Sequence, residues 1–255
     1  MHGQAHLGIV GWGVVGEATG LALQARGHSI STHDIKLDTT LNDLIDCDGI
    51  IICTPTPLHG TELDDSTIVD TLLQLDQLEY AGLVCVRSTL MPGRTRDLCR
   101  MFPQLTICYT PEFLREHSAQ FDAQTQFRQI VGCVEQHEPP WWWTGLEIIT
   151  AEEAECYKLY SNSYNALLVV FANAWFEICN QHQADYQIVQ SLHHTQSYLQ
   201  VNSQLRGYAG PCLPKDVQAT ATLAERTNLK PNLFHTVHSD NLKYQPTVKP
   251  GMRTS

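Results

Sequence analysis

The stretch GYAGPCLPKD, residues 207–216, places one cysteine where a thiol could act as a nucleophile. Cys212 lies between two prolines, with Lys215 and Asp216 close behind it. The following residues, DVQATATLAERTN (216–228), predict a helix that begins near Asp216. A helix N-terminus and a nearby ammonium group both favour the thiolate over the thiol. The spacing therefore predicts a nucleophilic thiol at Cys212 rather than a thiol buried in a core.

A second pair of polar residues, Lys158 and Asn162, lies in a long apolar segment, residues 150–182. The segment contains no Gly or Pro, and Thr150 with Glu153 predicts a capping box at the start of a largely buried helix. A spacing of four residues places Lys158 and Asn162 on one face of that helix, one turn apart. An exposed polar face is one interpretation. If the pair is buried, it needs polar partners, which an active site would supply.

The N-terminal segment HLGIVGWGVVG, residues 6–16, carries the G-x-G-x-x-G spacing of a dinucleotide-binding turn. Gly11 makes the tight turn at the end of a short apolar strand. Gly13 leaves room for a pyrophosphate to approach the backbone, and Gly16 lets the next helix pack closely against the strand. These three glycines therefore predict a phosphate-binding turn.

The helix after this turn starts with Val14 and Val15, and its free N–H groups would face the phosphates. The next strand ends at Asp34, which lies 21 residues after Gly13. An acid at that place accepts hydrogen bonds from the adenosine ribose and repels a 2′-phosphate. The sequence therefore predicts NAD rather than NADP as the cofactor. A glycine-rich turn without a cofactor is the alternative interpretation.

The elements that must position these residues follow an α/β rhythm through the first half of the chain. Short apolar runs predict four further strands, at 49–54, 83–88, 106–110 and 128–134, with helices at 64–79 and 93–102. With the first two strands they predict a six-stranded, doubly wound parallel sheet of the Rossmann type. Ligands in such sheets bind beyond the carboxyl ends of the strands, where TPTP (54–57), STLMPG (88–93) and TPEFLRE (110–116) lie.

The segment EQHEPPWWWTG, residues 135–145, ends this rhythm. Its three tryptophans predict a hydrophobic plug at a domain junction, with a binding platform as the alternative. The predicted domains are an NAD-binding domain over 1–146, a smaller all-helical domain over 147–243 and a frayed tail over 244–255. A further short helix is predicted near 185–198.

The composition argues against several functional classes. The 255 residues carry 16 basic and 27 acidic side chains, and a formal net charge of −11 disfavours a nucleic-acid partner. No apolar run approaches the roughly 18 residues that span a bilayer, and the early first strand leaves no room for a signal peptide, so a cytoplasmic location is expected. The nine cysteines form no CxxC pair, which favours reduced thiols, and no metal site is expected.

Several of these motifs together resemble those of the nucleotide-sugar 6-dehydrogenases, the UDP-glucose and GDP-mannose dehydrogenases. The similarity runs in matching order through residues 5–240. It includes the glycine turn with Asp34, TPT, STLMPG, TPEFLRE, the helix with Lys158 and Asn162, and GPCLPKD. Other Rossmann dehydrogenases do not carry the last three motifs as a set. The resemblance implies that the chain oxidises a sugar 6-hydroxyl to a carboxylate with two NAD and one water.

The resemblance also implies roles for individual residues. Cys212 is the expected nucleophile, which forms a thiohemiacetal and then a thioester. Lys158 and Asn162 are expected to stabilise the oxyanion, Asp216 to hold the catalytic water and Glu112 to activate it as a base. The cofactor contacts it implies beyond the glycine turn and Asp34 are Thr54, Thr56, Thr89, Glu116 and Lys215. Thr89 and Glu116 also line the place of the catalytic water. The sugar contacts it implies are Glu112, Phe113, Leu114, Arg115, Lys158, Asn162 and Gly207.

Three departures from the family bear on the substrate. Family members usually carry a third domain that grips the nucleotide of the sugar, and the 255-residue chain is expected to lack it. Ala209 replaces a glycine of the mobile loop, and the seven residues 200–206 lengthen the stretch that contacts the sugar.

A homodimer through the helical domain is expected, because the long apolar helix needs a second copy to cover its apolar surface. Two alternatives stay open: the same core acting on a smaller alcohol, or a non-catalytic protein that binds NAD or a partner.

Overall fold

A computed structural model describes residues 3–125, 129–134, 137–194, 207–226, 230 and 232–244. The chain divides into two compact units, residues 1–59 with 63–158, and residues 60–62 with 159–255. The division falls within one long helix. The domain boundary that the sequence predicts at 146/147 stays a prediction. The predicted sugar-loop insertion, residues 200–206, and nearly all of the predicted tail lie outside the described residues.

A seven-stranded sheet forms the first unit. Its strands are β1 (His6–Val10), β2 (Ser29–His33), β3 (Gly49–Ile52), β6 (Leu83–Val86), β7 (Thr106–Tyr109), β8 (Gln129–Cys133) and β9 (Leu146–Thr150). A short separate pair is formed by β4 (Leu58–His59) and β5 (Glu62–Leu63). The order in the sheet is β2-β1-β3-β6-β7-β8-β9, and neighbouring strands are parallel except for β7 and β8. The predicted Rossmann-type sheet is confirmed.

Helices cover the sheet and form most of the described part of the second unit. They are α1 (Val14–Ala25), α2 (Ser66–Gln77), α3 (Arg94–Met101), α4 (Ala119–Thr125), α5 (Ala151–Gln181), α6 (Tyr186–His194), α7 (Leu213–Arg226) and α8 (Leu233–Tyr244). Two short 3-10 helices lie at Leu41–Leu44 and Glu116–Ser118. From α5 onward the described residues are helical or loop, so the predicted all-helical second part is confirmed.

The sheet differs in two respects from the six parallel strands that the sequence predicts. β9 is a seventh strand, and most of its residues are exposed, so it lacks the continuous apolar run that marks a strand buried on both faces. β8 runs antiparallel to β7, with Cys108 opposite Cys133 and Tyr109 opposite Gly132. A sequence pattern of apolar runs locates strands but does not give their direction.

The sheet has an apolar core on each face, because the side chains of a strand alternate between its two sides. Ile50 and Ile52 of β3 pack into one core, and Ile51 packs into the other. All three are fully buried. The continuous apolar runs of the first half therefore correspond to strands covered on both sides, as predicted.

Two of the three successive tryptophans belong to the core of the first unit. Trp142 and Trp143 are buried there, whereas Trp141 is exposed. Gly49 leaves the space that Trp142 occupies, since a Cβ at Gly49 would lie 2.2 Å from the Trp142 ring. Burial of Trp142 and Trp143 favours the plug interpretation over a binding platform for these two side chains.

The long helix α5 begins at the predicted capping box. Thr150 Oγ1 accepts the N–H of Glu153 at 3.3 Å, and Glu153 Oε2 accepts the N–H of Thr150 at 2.9 Å. The helix is less buried than predicted, because one stripe of large side chains is exposed. This stripe consists of Tyr160, Tyr164, Phe171 and Trp175. Among the described residues, none of the helices combines the length and the apolar composition that a bilayer-crossing segment needs.

Candidate active site

The glycine turn has the geometry of a phosphate-binding turn. Gly11 has a φ of +91°, in the region that favours glycine, and its N–H donates to the His33 carbonyl at 2.8 Å. A Cβ on Gly16 would lie 1.9 Å from the Gly11 carbonyl oxygen, whereas a Cβ on Gly13 would meet nothing within 4 Å. Gly13 is the N-cap of α1, so the first N–H groups of that helix face space that no Gly13 side chain fills. A pyrophosphate fits this arrangement.

Asp34 lies directly after β2 and ties the glycine turn to that strand. Its Oδ2 accepts the N–H of Trp12 at 2.7 Å, and its Oδ1 accepts the N–H of Lys36 at 2.9 Å. The hydrogen bond from Lys36, followed by that from Trp12, holds the pKa of Asp34 below its ordinary value. Asp34 is therefore an ionised acceptor at the place where the sequence predicts a ribose contact. No sequence pattern predicts the hydrogen bond from the Trp12 N–H to the Asp34 carboxylate.

The structure brings together three predicted threonines at the carboxyl ends of β3 and β6. Thr54, Thr56 and Thr89 are all buried. Thr56 Oγ1 donates to the Thr89 carbonyl at 3.0 Å, and Ser88 Oγ donates to the Thr54 carbonyl at 2.5 Å. These bonds join the TPTP and STLMPG loops at the edge of the sheet where ligands of such folds bind.

Glu112 and Lys158 form a buried ion pair. Lys158 is 2% exposed and Glu112 is 7% exposed. Lys158 Nζ donates to Glu112 Oε1 at 2.8 Å and to the Glu112 carbonyl at 2.6 Å, and it lies 5.4 Å from the centre of the Phe113 ring. Burial raises the pKa of Glu112, but the Lys158 charge and hydrogen bond outweigh burial and hold this pKa below its ordinary value. The predicted need of Lys158 for a polar partner is thus met.

A buried arginine that sequence reasoning missed lies beside this pair. Arg87 follows β6 and is 3% exposed. Its Nη1 donates to the Thr110 carbonyl at 3.0 Å, and its guanidinium lies 4.9 Å from the centre of the Trp143 ring. Burial lowers the pKa of Arg87, while Cys53 and Glu112 act against that shift. The available signal was a charged residue at the end of a run predicted to be buried.

The TPEFLRE loop is held by its own charged residues. Arg115 Nη2 and Nε donate to the two Asp122 oxygens at 2.6 and 3.0 Å, and Ser118 Oγ donates to Asp122 at 3.1 Å. These bonds, that from Arg115 foremost, hold the pKa of Asp122 at about 2. Leu114 donates its N–H to Glu112 Oε2 at 2.6 Å. Arg115, predicted as a sugar contact, is therefore an ion-pair partner here, and its role toward a sugar stays a prediction.

Glu116 begins a short 3-10 helix and is exposed, unlike Glu112. It lies beside the N-terminus of α1, where an open cavity of about 460 Å³ is lined by Val14, Glu17 and residues 116–121. The cavity thus joins two predicted cofactor contacts, Val14 and Glu116. The neighbouring Val15 belongs to the first turn of α1.

In the second unit, Cys212 lies directly before α7. This helix begins at Leu213, one turn earlier than the predicted start near Asp216. The Asp216 N–H donates to the Cys212 carbonyl at 2.9 Å, which closes the first helical turn. Pro214 fits in that turn because the first N–H groups of a helix have no partner within it. The predicted place of Cys212 at a helix N-terminus is confirmed.

The nine thiols differ in exposure, and Cys212 and Cys156 are the two exposed ones. Burial raises the pKa of Cys47 and of Cys99 to about 11, and that of Cys53 to about 12. A raised pKa disfavours the thiolate, which is the nucleophilic form of cysteine, at these three positions.

Asp216 is fully buried, and two predicted site residues contact its carboxylate. Asn162 Nδ2 donates to Asp216 Oδ2 at 2.5 Å, and Lys215 Nζ lies 2.9 Å from Oδ1. Lys215, predicted as a cofactor contact, thus pairs with Asp216.

Gly207, predicted as a sugar contact, donates its N–H to the Tyr244 carbonyl at 3.1 Å. Among the described residues, no group of three or more His, Cys, Asp or Glu side chains could hold a metal ion.

Among solved structures, the chain is similar to a UDP-glucose dehydrogenase from Pyrobaculum islandicum, with a TM-score of 0.83 and 20% identity over 95% of this chain and 69% of that one. It is also similar to a 3-hydroxyisobutyrate dehydrogenase from Mycobacterium tuberculosis, with a TM-score of 0.74 and 12% identity. That alignment covers 95% of this chain and 94% of the other. At these identities the likeness shows the fold.

Among curated proteins, the chain is 27% identical over 229 residues to the UDP-glucose 6-dehydrogenase of Campylobacter jejuni, which covers 81% of this chain and 56% of that one. The chain spans about half the length of the curated relatives that it matches. Residues 36–141 match the model of the NAD binding domain of the UDP-glucose/GDP-mannose dehydrogenase family, and residues 152–243 match that of its central domain. With both domains present in order, this chain belongs to the UDP-glucose/GDP-mannose dehydrogenase family.

Proposed function

We propose that the chain oxidises the 6-hydroxyl of a sugar, carried as a nucleotide sugar, to a carboxylate through a thioester on Cys212. The observation that carries this proposal is the exposed thiol at the N-terminus of α7, one turn before the fully buried Asp216. A buried carboxylate held by Asn162 and Lys215 is costly for folding, because taking charges out of water costs several kcal/mol per ion. Residues that break a general rule of folding, as a buried charge does, are expected at functional sites.

The residues of the first unit fit NAD as the cofactor. The glycine turn and the first turn of α1 would hold its pyrophosphate, and Asp34 would accept hydrogen bonds from its ribose. Thr54, Thr56, Thr89 and Glu116 are the further proposed contacts of this unit, and Lys215 of the second unit is also proposed as a cofactor contact. Bound NAD⁺ supplies a hydride acceptor for each of the two oxidations. The overall reaction converts the alcohol, one water and two NAD⁺ to the carboxylate, two NADH and three protons.

Cys212 acts between the two oxidations. Its thiolate sulfur bonds to the aldehyde carbon, and the carbonyl oxygen takes up the electron pair and a proton to give a thiohemiacetal. Loss of a hydride and a proton then gives the thioester. Addition of water to the thioester and cleavage of the C–S bond release the carboxylate and return the thiolate. The covalent bond keeps the reactive aldehyde on the protein between the two oxidations.

Lys158 and Asn162 stabilise the negative oxygen that forms when sulfur or water adds to the carbonyl carbon. A lysine ammonium has three N–H donors, and the described residues account for two of them at Glu112. Glu112 is the base that accepts a proton from the attacking water, which requires the ionised carboxylate that Lys158 favours. Asp216 holds that water, and Thr89 and Glu116 also line the position that the water occupies.

The sugar is assigned to Glu112, Phe113, Leu114, Arg115, Lys158, Asn162 and Gly207. We also propose a homodimer that covers the exposed aromatic stripe of α5. Four large exposed side chains on one helix, Tyr160, Tyr164, Phe171 and Trp175, make a patch that a second copy would bury.

A second candidate substrate is a smaller alcohol without a nucleotide. The observation that favours it is the likeness in architecture to the mycobacterial 3-hydroxyisobutyrate dehydrogenase, which extends over 94% of that chain. The proposed chemistry of Cys212 is the same for either alcohol if the product is an acid.

NADH release by the purified chain, with UDP-glucose, GDP-mannose, free sugars and small hydroxy acids, separates these candidates. We expect two NADH per molecule of alcohol oxidised. Cys212→Ser should lower turnover by orders of magnitude. Cys156→Ser, which changes the other exposed thiol, is the matched control and should leave turnover unchanged. Full turnover by Cys212→Ser would refute the covalent route.

A further inference from the structure

The residue Tyr208 is buried together with its backbone. Its ring packs in the core of the second unit with Ala166, Val170, Val217 and Val237. Burial of the ring draws the Tyr208 amide and carbonyl away from water, and both groups then need partners within the protein.

One side chain, that of Asn241 in α8, supplies both partners. The Tyr208 N–H donates to Asn241 Oδ1 at 2.7 Å, and Asn241 Nδ2 donates to the Tyr208 carbonyl at 2.9 Å. Asn241 itself is 0% exposed. The bond from Gly207 to the Tyr244 carbonyl attaches the neighbouring residue to the same helix. The helix α8 therefore holds the chain at the start of the loop that leads to Cys212.

The other end of this loop is held at α7. Cys212 lies four residues after Tyr208, its carbonyl accepts the N–H of Asp216, and the Asp216 side chain is bound by Asn162. Gly210, with a φ of +82°, makes the bend between the two ends. So short a segment fixed at both ends gives the thiol few alternative positions.

We propose that Asn241 is a positioning residue for the nucleophile: its amide clamp on Tyr208 sets where Cys212 stands at the N-terminus of α7. Asn241 contacts Tyr208 and not the reacting groups, so it acts through the loop. An amide suits this task because it offers a donor and an acceptor, whereas a carboxylate only accepts. The inference rests on the proposed function for the role of Cys212 as nucleophile, but the clamp itself needs neither cofactor nor sugar.

Hydrogen exchange of Asn241→Ala tests the clamp. The backbone amides of residues 207–210 and of Cys212 should exchange about tenfold faster, the factor that corresponds to roughly 1.4 kcal/mol, while amides in the middle of α7 keep their rate. Pro211 has no N–H to exchange. Asn232→Ala is the matched control, because Asn232 also makes two hydrogen bonds in this unit, to the Ala221 carbonyl at 2.8 Å and from the Phe234 N–H at 3.2 Å. Unchanged exchange at 207–212, or an equal rise in the control, would overturn the proposal.

Alkylation of Cys212 relative to Cys156 gives a second readout that a merely structural role would not move. Because Cys212 is already exposed, a looser loop adds little access, but it takes the thiol away from the helix N-terminus that favours the thiolate. We expect the rate ratio at neutral pH to fall about threefold in Asn241→Ala and to stay constant in Asn232→Ala. An unchanged or higher ratio would contradict the proposal.

If Asn241→Ala does not fold, Asn241→Ser takes its place in both measurements. Serine buries no charge and offers one short hydroxyl in place of the amide that reaches both Tyr208 groups, so a change in the same direction is expected, and no change would contradict the clamp. Neither readout uses NAD or sugar, so failure of the clamp is distinguishable from failure of the catalytic role, which Cys212→Ser tests separately.

Discussion

The charged side chains of Glu112, Lys158 and Asp216 are almost fully buried. Each has a partner of opposite charge or a hydrogen-bonding amide. Their residue types were predictable from the sequence because each stands in a recognisable motif. Their pairing was not, since Lys158 and Glu112 are 46 residues apart and meet only through the fold. Asn241 carried no signal at all, because its partner is a backbone amide 33 residues away.

Removal of the Lys158 charge should destabilise the protein through Glu112. Lys158→Met leaves a buried carboxylate without its ammonium partner and should cost about 3 kcal/mol of folding free energy. The double variant Lys158→Met with Glu112→Gln removes both charges and should recover much of this loss. Urea unfolding of the three proteins measures the effect. If the double variant is less stable than Lys158→Met, the ion pair is not what holds this part of the site.

Replacement of Asp34 should act on the cofactor. Asp34→Ala removes the proposed ribose acceptor and the bond to Trp12, so NAD binding should weaken by about tenfold or more. The unchanged chain should prefer NAD to NADP, because the carboxylate repels a 2′-phosphate. Calorimetric titration of both cofactors measures this. Asp43→Ala, another acid on this unit with a lowered pKa, is the control. Equal affinity for NAD and NADP in the unchanged chain would contradict the assignment.

At the scale of elements, two helices of the first unit use their N-termini differently. The N-terminus of α3 is occupied by a side chain of the protein, because Glu155 of α5 accepts the N–H groups of Gly93 and Thr95 at 2.6 and 2.7 Å. The α1 terminus begins at Gly13, which has no side chain to cap it. A helix N-terminus that receives no such carboxylate from the described residues suits a bound phosphate, so α1 is the better candidate.

The TPEFLRE loop should show a pH-dependent stability that originates in Asp122. Its pKa is lowered from 3.8 to about 2, so the stabilisation is present above 3.8 and is lost as the pH falls toward 2. Asp122→Asn should therefore be less stable than the unchanged chain at neutral pH, and the difference should shrink in acid. Urea unfolding across this pH range tests it. Asp97→Asn, which removes an exposed pair with Arg100, is the control and should show little change.

The elements that the sequence predicted well are those with one dominant physical cause. Continuous apolar runs marked β3 and β6 because both of their faces are covered. β9 was missed because it is largely exposed and has no continuous apolar run. The start of α7 was predicted one turn late because proline usually interrupts a helix, whereas Pro214 lies in the first turn, where proline is tolerated.

At the scale of the whole molecule, the net charge bears on how a nucleotide sugar would bind. A formal net charge of −11 gives no general attraction for a pyrophosphate. The chain spans 56% of the Campylobacter enzyme that it resembles. Contacts between the protein and parts of the substrate remote from the reacting carbon help to hold that carbon in place. Fewer such contacts should therefore raise KM and lower kcat.

The 255-residue chain by itself should therefore oxidise UDP-glucose poorly, with a KM above about 1 mM, a value at the upper end of the range typical of enzymes. Steady-state kinetics over UDP-glucose and GDP-mannose concentrations measures this. A sub-millimolar KM with two NADH per sugar would show that these residues suffice for the nucleotide site. Arg115, which is already paired with Asp122, would then be the first basic residue to test.

The central claim is that a thioester forms on Cys212, and trapping it is the most direct test. Glu112→Gln removes the proposed base for water, so the acyl group should accumulate on the protein. The variant is incubated with NAD and whichever alcohol gives the most NADH with the unchanged chain, then quenched in acid and mapped by peptide mass spectrometry. We predict that the peptide containing Cys212 gains the mass of the acyl group, and that Glu112→Gln with Cys212→Ser gains none. An unmodified Cys212 peptide alongside continued release of acid would contradict the claim.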